Sequence, residues 1–306
     1  VINLEQQKVE EVLNTALFST SLSGSTTNGL CLLRNGKQLA IANADNNCLA
    51  IFDVSEPSKS RSLGFIPVGW YPTNVKFAND KLWVTNGKGL HSSANPFGPN
   101  PANLTQRVGH HEGDTNRPKE VQYIGGLFLG ALSIIDIPSD QQLKVYSQQV
   151  FSNTPYDQRK EYLSDSEPGN PIPQRVGDLS PIKYVFYIIK ENRTYDQVLG
   201  DIPKGNGDST LTLFGNKITP NLHKIANEFV LLDNFYVNAE VSCDGHNWTT
   251  GAYATDYLEK TWPSNYSSRG DVYAGEGGHP MGNNKNGFVW DLCSAHDVSY
   301  RSYAEF

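Results

Sequence analysis

Oxygen-bearing side chains follow a short apolar run in the second half of the chain. Residues 184–189 read Tyr-Val-Phe-Tyr-Ile-Ile, and Lys190, Glu191, Asn192 and Arg193 come next. A continuous β-rich run of this kind is typical of a central parallel strand that is covered on both faces. Because ligands collect at the carboxyl ends of such strands, the carboxylate of Glu191 and the carboxamide of Asn192 are candidate ligands for a hard metal cation. A solvated strand-to-loop turn is the alternative.

A serine lies at a predicted strand-to-helix turn further along the chain. Residues 241–248 read Val-Ser-Cys-Asp-Gly-His-Asn-Trp, and a helix is expected to follow as far as Tyr257. A hydroxyl at such a turn lies beside the first N–H groups of the helix, which bind phosphate oxygens, and a neighbouring divalent metal would favour its ionisation. Ser242 is therefore a candidate nucleophile and metal ligand, or else an ordinary capping serine. Asp244 is a candidate cap of the same helix, and His246 is a candidate contact to a substrate oxygen.

The elements around these two groups alternate between strand and helix. Thr219 as N-cap and Pro220 at the first helical position predict a helix start. One apolar stripe follows on that helix: Leu222, Ile225, Ala226 and Phe229. Residues 230–236 are expected to form a second strand, and residues 298–303 a further strand after another helix. This order predicts an α/β domain over residues 182–306.

The remaining histidines and cysteines have weaker patterns. The segment 110–114 reads His-His-Glu-Gly-Asp, and we favour a solvated loop over a metal site there. His279 and His296 belong to no ligand motif, so surface or hydrogen-bonded histidines are expected. The cysteines lack the C-x-x-C spacing of zinc or redox sites, which favours four free thiols: Cys31, Cys48, Cys243 and Cys293.

Composition and charge argue against two classes of function. The chain has 306 residues, with 25 basic against 32 acidic residues and a formal net charge of −7. No basic cluster is long enough to neutralise a row of phosphates, which argues against nucleic-acid binding. No apolar run approaches the roughly 20 residues that span a bilayer, so no transmembrane segment is expected. The length suits two domains.

The first half of the chain contains a sequence repeat. Residues 39–44 (Leu-Ala-Ile-Ala-Asn-Ala) recur in type at 82–87 (Leu-Trp-Val-Thr-Asn-Gly), so that Asn43 matches Asn86. A second motif occurs three times, at residues 1–4, 51–54 and 134–137. The spacing is that of a four-stranded propeller blade, and the pattern resembles the YVTN-type repeats of seven-bladed β-propellers.

Two blades cannot close a ring, because each blade buries its faces against neighbouring blades. Residues 1–150 are therefore expected to be a partial β-propeller of about two blades, with a long insertion at 88–122 and with the missing blades in a longer parent chain. Residues 151–181 are polar and rich in proline, and are expected to be a linker. We infer a fragment of a longer protein.

Residues 183–248 resemble the bacterial phosphoesterase family that includes phospholipase C and acid phosphatase, within the alkaline phosphatase superfamily. The resemblance lies in Tyr-Ile-Ile-Lys-Glu-Asn-Arg-Thr-Tyr-Asp at 187–196. In addition, Thr-Pro-Asn-Leu at 219–222, followed by Asn-Phe-Tyr at 234–236, is similar to an element of sulfatases and phosphodiesterases in the same superfamily.

This resemblance implies roles for four residues. Ser242 takes the position of the nucleophile and of a metal ligand, and Glu191 and Asn192 take the paired metal-ligand positions. His246 takes the position of an arginine in the sulfatase pattern, so His246 and Asn192 are implied in substrate binding. The serine lacks the Cys/Ser-x-Pro-x-Arg context of sulfatases, which disfavours a sulfatase. Relatives complete the metal site with Asp and His residues from later strands, which would lie beyond Phe306, so we expect little or no activity from the 306-residue chain alone.

The sequence thus predicts a β plus α/β fold class, with partial β-propeller blades followed by the N-terminal part of an alkaline-phosphatase-like α/β sandwich. The predicted function is a metal-dependent phosphoester hydrolase, of the phosphatase or phosphodiesterase type, with a serine nucleophile and a divalent ion (Zn, Mn, Mg or Ca). The alternative is a non-catalytic, propeller-based binding or cell-surface scaffold with a degenerate phosphoesterase domain. The resemblance also implies a periplasmic or extracellular location.

Overall fold

The chain folds into two structural units. The computed structural model describes residues 1–18, 21, 24–33, 36–92, 124–154, 162–164, 166–266, 270, 272–275, 277–303 and 305. Unit 1 combines Val1–Val150 with Phe235–Phe306, and unit 2 comprises Phe151–Asn234. Segment 110–114 and most of the expected insertion lie outside the described residues. The domain boundaries given above stay a prediction.

The described part of unit 1 contains antiparallel sheets whose strands follow one another in chain order. A two-stranded sheet pairs β1 (Ile2–Asn3) with β2 (Lys8–Val9). A four-stranded sheet consists of β3 (Thr27–Leu32), β4 (Gln38–Asn43), β5 (Cys48–Asp53) and β6 (Arg61–Pro67). A three-stranded sheet consists of β7 (Pro72–Ala78), β8 (Lys81–Asn86) and β9 (Ala131–Asp136). Among the described residues none of these sheets closes into a barrel.

The sequence repeat is confirmed as two equivalent strand pairs. β4 and β5 pair so that Asn43, at the end of β4, lies opposite the first residue of β5. β8 and β9 pair in the same way, with Asn86 opposite the first residue of β9. The strand before each pair, β3 or β7, carries a register irregularity near its start. The two sheets therefore share one strand order and one register.

Asn43 and Asn86 are buried polar residues that end the equivalent strands. Their exposed fractions are 0% and 1%. Asn43 Nδ2 donates to the carbonyl oxygen of Thr15 at 2.6 Å, and Asn86 Nδ2 donates to Ser133 Oγ at 2.9 Å. A buried amide N–H without an acceptor is costly, so each asparagine ties its strand end to a neighbouring segment.

The four-stranded and three-stranded sheets share one apolar core. Its buried residues in the sheets and the adjoining loop are Leu33, Ala40, Ala42, Leu49, Ile51, Ile66, Val75, Leu82 and Val84. Helix α1 (Asp140–Ser152), which the sequence analysis did not predict, adds Leu143 to this core. Gly64 of β6 permits the close approach of α1, because a Cβ at that position would clash with Ser147 Oγ. Ser147 Oγ in turn accepts a hydrogen bond from the backbone N–H of Phe65 at 2.8 Å.

The second part of unit 1 is mainly helical. Its helices are α4 (Ser242–Gly251), α5 (Asp256–Asn265) and α6 (Val289–Ala295). Lys260 Nζ donates to the carbonyl oxygen of Thr27 at 2.8 Å, and the rings of Phe128 and Trp262 meet edge to face with their centroids 6.0 Å apart. These contacts join the helices to the sheet-bearing part of the unit.

The helix predicted to run as far as Tyr257 is in fact two helices. Ala252 ends α4 in the left-handed conformation, with φ 66°. Thr255 then caps α5, because its side chain accepts a hydrogen bond from the backbone N–H of Leu258. The break and the new cap are local features that the polar sequence between the helices did not reveal.

Unit 2 contains two helices in its described residues, α2 (Tyr195–Leu199) and α3 (Pro220–Glu228). Thr219 is the N-cap of α3 and Pro220 its first residue, as predicted. The predicted apolar stripe is only partly correct, because the buried residues of α3 are His223 and Ala226, whereas Phe229 is 75% exposed.

The predicted strands of the second half are absent from the described residues. Residues 184–189, 230–236 and 298–303 have no strand assignment and join none of the sheets. Tyr184 and Phe186 are 83% and 88% exposed. The prediction of a covered central strand is therefore wrong for this structure, since β-forming sequence becomes a strand only where neighbouring strands satisfy its backbone. No helix within the described ranges is both long and apolar enough to cross a membrane.

Candidate functional site

The turn at residues 190–193 and the start of α3 line one depression in unit 2. Its volume is about 300 Å³, and its lining residues are Lys190, Glu191, Asn192, Arg193, Val198, Phe214, Thr219 and Leu222. The first four are exposed and form what we call the rim; the last four are half-buried and form the floor. Two sequence segments that the resemblance assigns to one family pattern thus meet in one place.

The rim carries more positive than negative charge. Lys190 and Arg193 are its cations and Glu191 is its carboxylate. Arg193 lies over the ring of Phe214, with its guanidinium carbon 5.2 Å from the ring centroid. Its Nη1 donates to the carbonyl oxygen of Asn192 at 2.6 Å. The chain as a whole has a net charge of −7. The rim differs from it in its local excess of positive charge, which favours an anionic ligand.

Hydrogen bonds hold the floor in place. The backbone N–H groups of Leu213 and Phe214 both donate to the carbonyl oxygen of Gln197 in α2, each at 2.9 Å. Thr219 Oγ1 donates to the carbonyl oxygen of Phe214 at 2.7 Å. The side chain of the N-cap residue therefore binds the preceding loop rather than an N–H of α3. As a result Phe214, Val198 of α2 and Leu222 of α3 form a fixed apolar surface.

Next to Thr219, His223 and Asp201 form an ion pair. His223 is 4% exposed; its Nε2 lies 2.7 Å from Asp201 Oδ1 and its Nδ1 lies 2.9 Å from the carbonyl oxygen of Thr219. A carbonyl oxygen and a carboxylate accept but do not donate, so these two contacts favour the doubly protonated, positively charged ring. Burial lowers the pKa of His223, but the bonds to Asp201 and Thr219 outweigh burial and the pKa is raised. Burial raises the pKa of Asp201, but hydrogen bonds from His223 and a backbone N–H outweigh it and the pKa is lowered.

Ser242 is the first residue of α4, and its side chain is exposed. Its Oγ lies 2.8 Å from the hydroxyl oxygen of Tyr266, and either hydroxyl is able to donate. The serine hydroxyl is thus accessible beside the first-turn N–H groups of a ten-residue helix, where negative charge is favoured. Tyr266 was not predicted, because nothing in the sequence links a tyrosine after α5 to the start of α4.

Asp244 does not cap α4, and that prediction is wrong. It is the third residue of the helix, whereas a cap precedes the first turn. Its side chain is fully buried and accepts a hydrogen bond from the hydroxyl of Tyr273. Burial raises the pKa of Asp244 to about 6, against the hydrogen bond from Tyr273, which lowers it. Burial and then Asp244 raise the pKa of Tyr273.

His246 lies one turn after Ser242, on the same face of α4. Its Nδ1 lies 3.0 and 3.1 Å from the two carboxylate oxygens of Glu305. This pairing orients the imidazole ring, while its role toward a substrate stays a prediction.

A group of carboxylates, here called the acidic cluster, lies where the sheet-bearing and helical parts of unit 1 meet. Its members, which affect one another's ionisation, are Asp45, Glu240, Asp244 and Glu259. Lys88 Nζ pairs with Glu240 Oε1 at 2.6 Å and lies 4.6 Å from the ring centroid of Tyr71. Burial, followed by the charge of Asp45, raises the pKa of Glu259 to about 8. Glu259 is therefore mostly uncharged at neutral pH.

The rim offers only part of a metal site. The oxygens of Glu191 and Asn192 suit a hard divalent cation. In the part of the chain that the structure describes, no group of three or more His, Cys, Asp or Glu side chains is arranged to hold a metal ion.

His279 stacks on Tyr257, with ring centroids 5.9 Å apart, and its Nδ1 accepts a hydrogen bond from the backbone N–H of Met281.

The predicted site residues fall into two groups. Glu191 and Asn192 lie together at the rim in unit 2, and Ser242 and His246 lie together on α4 in unit 1.

Comparisons with family models, with curated proteins and with solved structures find no match to this chain.

Proposed function

We propose that the protein hydrolyses phosphate esters, with Ser242 as the nucleophile. The observation that carries the proposal is the shared lining of the depression by the 190–193 turn and by Thr219 and Leu222 of the Thr-Pro-Asn-Leu element. Both segments resemble patterns of one superfamily. Oxygen ligands for a cation and cationic side chains for an anion are also the groups that phosphoryl transfer uses.

The proposed reaction has two displacements at phosphorus. Ser242 Oγ forms a bond to phosphorus while the bond from phosphorus to the ester oxygen breaks, and the alcohol leaves with a proton. Water then forms a bond to phosphorus, the Oγ–phosphorus bond breaks, and the serine regains its proton as phosphate departs. The exposed hydroxyl of Ser242 and its hydrogen bond to Tyr266 support this role. His246 is proposed to contact a substrate oxygen.

Glu191 and Asn192 are proposed to hold a divalent cation at the rim in unit 2. Such an ion, when bound, would neutralise phosphoryl oxygens. Mg²⁺ is commonly held by one or two carboxylates together with water and substrate phosphate, whereas a structural zinc site needs four protein ligands. The sparse set at the rim therefore fits a substrate-completed site for Mg²⁺ or Mn²⁺ better than a closed site for Zn²⁺.

For unit 1 we propose that the four-stranded and three-stranded sheets are neighbouring blades of a β-propeller. Their common strand order, their matching register at Asn43 and Asn86, and their shared apolar core support this. The second half is proposed to belong to an alkaline-phosphatase-like domain, and a periplasmic or extracellular location is proposed with it.

The second candidate is a non-catalytic binding or cell-surface scaffold. The observation in its favour is that the described residues contain no cluster of three or more side chains arranged for a metal ion. In that case the sheets of unit 1 would carry recognition, and Ser242 would be an ordinary residue at a helix start.

The two candidates differ in a direct chemical test. The full gene product is incubated with phenyl phosphate and with Mg²⁺, Mn²⁺, Zn²⁺ or Ca²⁺ in turn, and phosphate release and intact mass are measured. The hydrolase predicts turnover and a phosphoryl adduct on Ser242, both lost in Ser242→Ala. Ser264→Ala, at an exposed serine of α5, is the matched control and should keep both. Neither turnover nor adduct with any of the ions would reject the hydrolase and favour the scaffold.

A further inference from the structure

The depression in unit 2 combines two chemistries in one small space. Its rim is polar and exposed, and its floor presents an aromatic ring and two aliphatic side chains, Phe214, Val198 and Leu222. A volume of about 300 Å³ lies at the small end of the range for ligand sites. It therefore suits one compact group.

The cations of the rim are available to a ligand. Within the described ranges no carboxylate pairs with Lys190, and Arg193 bonds only to the carbonyl oxygen of Asn192 while it lies over Phe214. An arginine that is already held over a ring loses little freedom when it binds an anion. The two cations of the rim outnumber its one carboxylate, Glu191, which favours the two negative charges of a phosphate monoester over the single charge of a diester.

The floor is arranged before any ligand binds. The backbone of Phe214 is held by a hydrogen bond to Gln197 and by the hydroxyl of Thr219. The buried ring of His223 lies against Thr219. An apolar group on the floor would therefore lose water without having to order these side chains.

We propose that the depression selects phosphate monoesters of small aromatic or apolar alcohols, with the phosphate at Lys190 and Arg193 and the alcohol on the floor. The identity of the anion as a phosphate ester rests on the proposed function. The placement of an anion at the rim and of an apolar group on the floor rests on the lining residues alone.

Binding without turnover tests this. The 306-residue chain carrying Ser242→Ala is titrated calorimetrically with phenyl phosphate, methyl phosphate and diphenyl phosphate. We expect phenyl phosphate to bind about tenfold more tightly than methyl phosphate, because only its ring covers the floor. Diphenyl phosphate should bind more weakly than phenyl phosphate, since it has one charge and two rings.

Variants assign the two contacts. Lys190→Gln and Arg193→Gln should each weaken phenyl and methyl phosphate alike, by about tenfold. Lys217→Gln, at an exposed lysine of unit 2 outside the depression, should change neither. Phe214→Leu should weaken phenyl phosphate by several-fold and methyl phosphate by less, because methyl phosphate loses only the ring that holds Arg193. Retained methyl phosphate binding shows that this variant is folded.

Two results would overturn the inference: equal affinity for phenyl and methyl phosphate, or rim variants that bind as tightly as Lys217→Gln. The outcome is separable from that of the hydrolysis test. The expected binding pattern with no turnover in the full gene product would reject hydrolysis and keep the specificity. Turnover with equal affinities would do the reverse.

Discussion

The replacement of Glu259 by glutamine tests how the buried acidic cluster affects the stability of unit 1. Glu259 is 4% exposed, and Trp248 Nε1 lies 3.5 Å from its Oε1, at the limit of a hydrogen bond. Burial, followed by Asp45, raises its pKa from 4.5 to about 8, while Lys88 acts in the opposite direction. A glutamine has nearly the shape and the hydrogen-bonding groups of the protonated acid, so Glu259→Gln imitates the uncharged form.

The sign of the effect follows from where the proton is lost. In the unfolded chain Glu259 ionises near pH 4.5, whereas in the folded protein it keeps its proton up to about pH 8. Between these values the folded state binds more protons, so the free energy of unfolding falls as pH rises. Since one pKa unit corresponds to about 1.36 kcal/mol, the full loss is on the order of 5 kcal/mol above pH 8. Glu259→Gln removes this loss.

The assay is chemical denaturation followed by tryptophan fluorescence from about pH 4 to about pH 9. It reports on unit 1, because all five tryptophans lie there. The two proteins should have similar stability near pH 4.5, and the variant should become the more stable by several kcal/mol toward pH 8. Glu5→Gln, at an exposed glutamate of unit 1, should give a curve parallel to that of the unchanged protein. A Glu259→Gln variant that is less stable throughout, or whose advantage does not grow with pH, would refute the reasoning.

Three further changes have expected outcomes. His223→Gln should destabilise unit 2 by roughly 1–3 kcal/mol near pH 6, because it removes a hydrogen bond to the partly exposed carboxylate of Asp201. Because the pKa of His223 is raised in the folded state, the difference is fully present below about pH 6.5 and fades as pH rises through the raised value, which hydrogen exchange of α3 would follow. Tyr266→Phe should slow Ser242-dependent turnover of the full gene product about tenfold without a change in Tm, and an unchanged kcat would contradict an orienting role. Gly64→Ala should lower the free energy of unfolding by roughly 1–3 kcal/mol, because the added Cβ overpacks against α1. Gly245→Ala has open space at its Cβ and should not lower it. Equal stabilities of the two variants by urea denaturation would argue against the close approach.

Local sequence patterns were sufficient for the repeated strands of unit 1. The repeat at residues 39–44 and 82–87 indicates equivalent strands, and Asn43 and Asn86 mark the same place in both copies. The start of α3 was equally predictable, because Pro220 at the first helical position favours a helix start within its own segment.

The predictions failed where a residue depends on a distant partner. Residues 184–189 have the composition of a buried strand, yet a strand forms only with neighbours, and the described chain supplies none. His223 was not predicted to be buried, because its partner Asp201 lies in the loop after α2. Asp244 is of a residue type that commonly caps helices, but its hydrogen bond with Tyr273 holds it in the interior.

The site shows the same division. The sequence by itself identified Glu191, Asn192 and Ser242 as candidates for phosphate and metal chemistry, because residue type and local spacing are enough to propose that. Only the tertiary structure decided that Phe214 is part of the floor of the depression beside residues 190–193, and that the hydroxyl of Tyr266 lies next to that of Ser242. The physical reason is that ligating groups are properties of single residues, whereas a cavity and the orientation of a hydroxyl depend on contacts between segments that are far apart in the chain.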